Sequence, residues 1–349
     1  MTTLIATPKP SRPWARRTPR QIFISALPVI LPIIAAFAIV SVTDLRGKVG
    51  FTFAWLLSTV VTIAIWPTII GQPKVRGDLF LQTAIGIAVL LFVAAVMWVL
   101  SSVFVPGIKS FQWSLLVGDG STVEVDTPLN QGGLLHALLG SLIVVGGATV
   151  ISVPFGILSA LYITEVRGKL VPYIRFFIQA MSGVPSIVAG LFIYAALIVT
   201  QILPFTGFAG SLSLAILMLP TVARTAEEVL RLVPDELRSA ALSLGGTQMR
   251  TIFLVVLPSA RSGLITAIIL GVARVAGETA PLLLTAFGGN TVNLNPFSDT
   301  MATLPWYIFS QMSLGTENDV ARAWVAAFTL LILVSLIFTL ARILTRKKS

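Results

Sequence analysis

LFLQTAIGIAVLLFVAAVMWVLSSVFV, residues 79–105, runs for 27 positions without a charged side chain. A helix that crosses the hydrocarbon of a bilayer needs roughly 20 such residues, so this stretch reads as a spanning helix. Working outward, comparable runs fall at 22–43, 51–70, 134–163, 173–203, 209–223, 261–287 and 324–344. Eight spans make the chain an all-α, polytopic membrane protein. The run at 209–223 is the shortest, while those holding Pro154 and Pro185 are long and expected to kink.

Composition agrees. Of 349 residues, 56% are hydrophobic and 11% charged, and mean hydropathy is +0.93. So few charges could not cover that much apolar surface in water. The net charge of +10 would suit a nucleic-acid partner, but the charges sit in short loops between apolar runs and read instead as topological. There is no cysteine, which removes disulfides, thiolate metal sites and cysteine nucleophiles.

With the N-terminus in the cytoplasm, 19 of the 24 lysines and arginines fall on the inner side. Arg46, Lys48, Lys109 and Arg322 fall outside, and Arg274 lies within a span. The positive-inside bias therefore predicts a multi-pass protein of the plasma membrane with both termini cytoplasmic. The first run follows Arg12, Arg16, Arg17 and Arg20, and Ala36-Phe37-Ala38 resembles a signal-peptidase site. Its length and the spans that follow favour an uncleaved helix. Three loops exceed mere turns: 106–133 and 288–323 outside, and 224–260 inside.

The inner loop has a helical design of its own. Pro234-Asp235-Glu236 reads as a helix start, with acidic side chains against the positive end of the dipole, and Gly245-Gly246 as the stop. Between them Leu237, Ala241 and Leu244 form a narrow apolar stripe, with Glu236, Ser239 and Ser243 on another face. A second segment, 249–257, ends at Pro258. Physics alone leaves this helix either lying on the membrane surface or docking a cytoplasmic partner.

The run LRSAALSLGGTQMRTIFLVVLP (237–258) resembles the "EAA" loop of ABC-importer permeases, with Ser239-Ala240-Ala241, Gly245 and the ending Val255-Val256-Leu257-Pro258 in place. The resemblance implies a coupling helix seated in a groove of an ATP-binding subunit, carried by Glu236, Leu237, Ser239, Ala240, Ala241, Leu244, Gly245 and Pro258. One position departs from the pattern. Ser239 replaces the family's acidic residue, with Glu236 one turn earlier.

Only one span places ionisable groups deep inside: Arg274 and Glu278, within ARVAGETAPLLLTA. Such groups cost several kcal/mol at that depth and face the bundle interior or water. At 100° per residue, Ala267, Gly271, Arg274 and Glu278 share an arc of about 60°. The charges thus lie on a small-residue face, four residues apart, where they could pair. One reading is a structural ion pair; the other is a path for an anion, since a guanidinium binds phosphate or carboxylate with two parallel donors. Ser182 and Ser186, flanking Gly183-Val184-Pro185, could offer hydroxyls to the same anion or simply bond their own i−4 carbonyls.

ARVAGETAPLLLTA, with MSGVPSIVAGLFIYA (181–195), EEVLRLVPDELRSAALSLG (227–245) and MATLPWYIF (301–309), is similar to the permeases of phosphate importers over residues 79–344. The resemblance implies a type I (MetI-like) helical bundle over 79–349, with its coupling loop at 227–258. Residues 1–78 then form a cytoplasmic tail and two extra helices. It further implies phosphate as cargo, a second similar permease, two ATP-binding subunits that use Mg-ATP, and an external phosphate-binding protein.

No G-x-x-x-x-G-K-[ST] run occurs, so the chain is not expected to bind ATP or any other cofactor itself. The lone His136 reads as structural, and no metal or hydrolytic constellation is present. Three rivals remain: a permease for another oxyanion such as sulfate or molybdate, an ion-coupled secondary transporter, and a membrane-embedded enzyme. The second should show related halves with polar groups at the midplane, and the third a polar cluster near an interface. Neither signature is visible.

Overall fold

The computed structural model describes residues 19–43, 47–69 and 76–345. The basic residues counted at Lys9, Arg12, Arg16, Arg17, Arg46, Lys74, Arg346, Lys347 and Lys348 lie outside the described residues. No strand occurs among the described residues; one isolated parallel bridge joins Phe287 and Met301.

In chain order the helices are α1 (Pro19–Val42), α2 (Gly47–Ile69), α3 (Arg76–Lys109), α4 (Trp113–Val117), α5 (Leu135–Leu161), α6 (Val171–Ser182) and α7 (Ser186–Ile193). They continue with α8 (Gly207–Arg231), α9 (Asp235–Ser243), α10 (Gln248–Thr251), α11 (Leu257–Ala276), α12 (Ala280–Leu283), α13 (Leu304–Leu314) and α14 (Glu317–Thr345). π-helical turns extend α5 to Val166 and α7 to Ile198, and join α10 to α11 across Ile252–Val256. The last turn ends two residues before Pro258, which lacks an N–H to continue the i→i−4 ladder.

Each of the eight apolar runs contains helix among its described residues. Among the described residues five helices are long and apolar enough to cross a membrane by themselves, or six if the bent pair α6–α7 counts as one span. The described apolar parts of α1 and α2, Ala26–Val42 and Gly50–Thr62, are shorter. Contacts divide the chain within α3, between Val99 and Leu100. In the first unit α1 packs on α2 through buried Ala36 and Ala54, with Phe37 and Phe51 at 4.8 Å between ring centroids.

Two expectations need correction. The run at 173–203 is not one kinked helix but two, bent by 106° at Gly183-Val184-Pro185. Pro185 adopts φ −60°, ψ 143°, an extended conformation that ends one helix and caps the next. The run at 261–287 begins earlier, at Gln248, and its long helix stops at Ala276. Gly277 caps it, and the chain re-enters a single helical turn at Ala280. The segment at 249–257 is therefore the start of this span, not a separate segment of the inner loop.

α8 is the centre of the second unit, with α5, α6, α7 and α11 all packed against it. Small residues permit the approach. A Cβ on Gly156 would meet Val222, one on Gly271 would lie 2.7 Å from the Val222 Cγ2, and one on Gly263 would crowd Val229. The Ser211 hydroxyl donates to the Val144 carbonyl at 3.1 Å and that of Ser152 to Ala215 at 3.2 Å, tying α8 to α5. Leu214, Leu217, Met218 and Val222 of α8 form the core with Val144, Ala148, Val275 and Leu282.

The end opposite α9 is a packed cap. α13, inside what reads as a loop from sequence, buries Leu304 and Tyr307 with Leu115, Leu134 and Val325. Arg322 is fully buried and donates through Nη2 to the carbonyls of Thr127, Pro128 and Gln131. Buried Asp319 accepts from the Thr316 hydroxyl at 2.7 Å and the Asp126 amide at 3.3 Å.

Candidate functional site

Two regions gather the residues singled out by sequence. The first lies halfway along α8. Thr221 is 14 residues from Gly207 and ten from Arg231, about 21 Å and 15 Å from the two ends of the helix. Its hydroxyl accepts a 3.0 Å hydrogen bond from Arg274 Nη1. Gly271 and Ala267, one and two turns before Arg274, are buried against the core, as their shared arc predicts. Arg274 itself is exposed in the single chain.

Glu278 does not pair with it. The helix ends at Ala276, so the spacing of four no longer stacks the two side chains, and no ion pair forms between them among the described residues. Glu278 is half-buried in the break between α11 and α12, its amide donating to Val275 at 3.2 Å.

The other break lies at a similar depth. Val184 packs against the cluster holding Leu217, Met218 and Val275. Beyond it Gly190 of α7 sits so close to α12 that a Cβ would lie 2.5 Å from the Pro281 Cα. Ser182 and Ser186 end on opposite sides of the bend, so their spacing of four no longer places them on one helix face. The Ser182 hydroxyl donates to the Ile178 carbonyl at 2.8 Å, the i−4 bond available to any helical serine. Ser186 is the first residue of α7, whose N-terminus has no side-chain cap. The midplane thus holds a solvent-facing guanidinium, a carboxylate, two interrupted spans and an uncapped helix start.

The second region is the loop around α9. Asp235 and Glu236 occupy the first turn, with Pro234 at the cap position itself. At the other end Gly245 adopts φ +81°. Its amide donates to Leu242 at 2.9 Å and that of Gly246 to Ala241 at 3.1 Å, the paired bonds of a Schellman stop. No residue of α9 is buried. Leu237, Ser239, Ala240 and Glu236 are exposed, Ala241 is half-buried, and Leu244 is 90% exposed. Leu232 and Met249 add to this apolar surface. Pro258 is exposed at the base of the following span.

Arg238 anchors α9 to the bundle. Its Nη2 and Nε meet the two carboxylate oxygens of Glu165, at the end of α5, at 2.8 and 3.1 Å. Nη2 also donates to the Leu230 carbonyl at 2.9 Å and Nη1 to Asp235 at 3.0 Å. The hydrogen bonds to Glu165 hold the guanidinium's pKa above its ordinary value, against the opposing effect of burial. Gln248 completes the anchor by donating to the Glu165 carbonyl at 2.8 Å. Sequence reading missed Thr221, Glu165 and this role of Arg238, because each partner lies 50 to 80 residues away along the chain. Arg238 at the fourth position of a short loop helix was the available signal.

Residues 152–349 match the model of the binding-protein-dependent transport system inner membrane component. That stretch is more than half of the chain. The chain belongs to this family. Among curated relatives, phosphate transport system permease protein PstA 1 of Mycobacterium tuberculosis (strain CDC 1551 / Oshkosh) is 42% identical over 207 residues, 59% of this chain and 68% of that one. PstA of Haemophilus influenzae is 37% identical over 246 residues, 69% of this chain and 85% of that one. Among solved structures, the inward-facing MetNI methionine ABC transporter has a TM-score of 0.48 and 21% identity, covering 61% of this chain and 93% of that one. The permease carries both the midplane breaks and the α9 loop within or beside the matched stretch.

Proposed function

We propose that this permease is one half of the membrane pathway of an ATP-driven importer that moves inorganic phosphate into the bacterial cytoplasm. The observation that carries the reading is Arg274, an exposed guanidinium at mid-depth of a spanning helix. A charge there must meet water, cargo or a neighbouring subunit. Its single neutral partner, Thr221, orients it without cancelling its charge. A tetrahedral oxyanion accepts two parallel N–H donors from such a group. The start of α7, which has no side-chain cap, adds the positive end of a helix dipole at the same level. The likeness to PstA proteins narrows the oxyanion to phosphate over sulfate or molybdate.

The remainder of the proposed assembly rests on the likeness to PstA proteins, and the exposed α9 surface supports its cytoplasmic part. With both termini and α9 cytoplasmic, Leu237, Ala240 and Leu244 seat in an ATP-binding subunit of a pair that hydrolyses Mg-ATP. A second, similar permease faces Arg274, and an external binding protein delivers phosphate at the α13 cap. Glu278 neutralises or orients Arg274 between passages, and Ser182 and Ser186 line the approach.

The test is uptake of labelled phosphate by the complete complex in proteoliposomes. ATP inside should drive uptake, sulfate and molybdate should not compete, and Arg274→Ala should reduce uptake by about 10- to 100-fold, the worth of a charged hydrogen bond. Full uptake by Arg274→Ala in an assembled complex, or uptake driven by an ion gradient without ATP, would overturn the proposal.

A further inference from the structure

Beside the base of α9 a cavity of about 440 Å³ opens where α5, α6 and α8 end together. Arg167, Arg175, Arg231 and Arg238 line it, with Thr164 and Asp235. Arg238 is committed to Glu165 and Asp235, but the other three guanidiniums have less opposing charge than they could accept. Arg175 and Arg231 converge on one oxygen, Glu227 Oε1, at 3.0 and 2.6 Å. Arg167 faces no carboxylate within ion-pair distance among the described residues. It is held in the left-handed region at φ 52°, and its Nε donates to the Thr164 carbonyl at 2.8 Å. That bond engages Nε, and no carboxylate engages the terminal amino groups of this lining residue among the described residues. Counting Arg238 with Glu165 and Asp235, four guanidiniums face three carboxylates and leave one positive charge in a concave site, with Arg167 lacking any carboxylate partner among the described residues.

We propose that this cavity binds a phosphate group, either the headgroup of an anionic phospholipid or a free phosphate, at a place distinct from Arg274. Guanidiniums from three different elements suit the three or more acceptor oxygens of a phosphate better than a single carboxylate does. Basic pockets between spans at the cytoplasmic surface are sites where anionic headgroups settle. A second observation bears on the source. The neighbouring helix α6 exposes Tyr173, Phe176 and Phe177, each more than 60% open, an aromatic surface of the kind that lies at headgroup level. The inference is independent of which cargo the permease carries.

Native mass spectrometry of the full-length chain released from nanodiscs tests it. The chain carries Arg274→Ala throughout, so that the midplane contributes nothing. Phosphatidylglycerol should be retained over phosphatidylcholine of the same chains, and Arg167→Ala with Arg231→Ala should cut the preference about fivefold per arginine. Glu227→Gln should raise it, since two guanidiniums are released, and a merely destabilised chain would not bind more. In a parallel arm, lipid-free chain in neutral detergent is titrated with inorganic phosphate and followed by phosphorus NMR line width. Broadening that the double variant abolishes, without a lipid preference, identifies free phosphate as the source and supports the site. No lipid preference and no phosphate broadening that depend on Arg167, Arg231 and Glu227 overturn it.

Discussion

Arg274 and Glu278 stand four residues apart, yet only Arg274 belongs to the helix. The arc computed at 100° per residue holds for Ala267, Gly271 and Arg274, and fails at Glu278 because Gly277 ends the periodicity on which it depends. The signals were present in the sequence: a glycine followed by Pro281, a residue suited to the first turn of a new helix. The hydrogen bond to Thr221 was not legible at all, since nothing local pairs positions 53 residues apart. It carries a prediction. Thr221→Val keeps the shape and removes the acceptor, so half-maximal uptake should require roughly three- to tenfold more phosphate, as expected for one hydrogen bond of about 1 kcal/mol. Assembly of the complex should be unchanged, read by co-purification of its subunits.

At the scale of elements, α9 was the most legible part of the chain. Its start and stop follow from local chemistry, Asp235 and Glu236 at the positive end and Gly245 in a conformation that other residues adopt reluctantly. Its anchor to α5 was not, because Glu165 and Arg238 look like two more loop charges until the fold brings them together. Their side chains are 7% and 15% exposed, so removing one partner strands a charge with little water. Arg238→Ala should therefore destabilise the permease by about 3 kcal/mol or more, seen as a lower melting temperature. It should also loosen ATP hydrolysis from phosphate uptake in the assembled complex. Leu244→Asp should behave oppositely. The residue is 90% exposed, so the melting temperature should hold while co-purification with the ATP-binding subunit falls at least tenfold.

For the whole molecule, the shortest apolar run became the central helix. α8 has the lowest hydropathy of the five long spans, 1.4, and the most buried window, 67%. The two facts have one cause. A helix surrounded by protein mixes small and hydroxyl side chains for close approach with the apolar groups of its core, whereas a lipid-facing helix can be apolar throughout. Hydropathy finds the helices that face lipid and undervalues the one that does not. Amide exchange should accordingly be slowest along 209–223 and measurably faster in α9, which buries no residue. The bend at Gly183-Val184-Pro185 bears on motion in the same molecule. A continuous helix is a rod, and a push at one end arrives at the other. Two helices meeting at 106° form an elbow instead, so the half nearer α9 can tilt while the half nearer the α13 cap stays seated on α12. On the proposed coupling through α9, movement that enters there would be absorbed at the bend instead of being passed along α7.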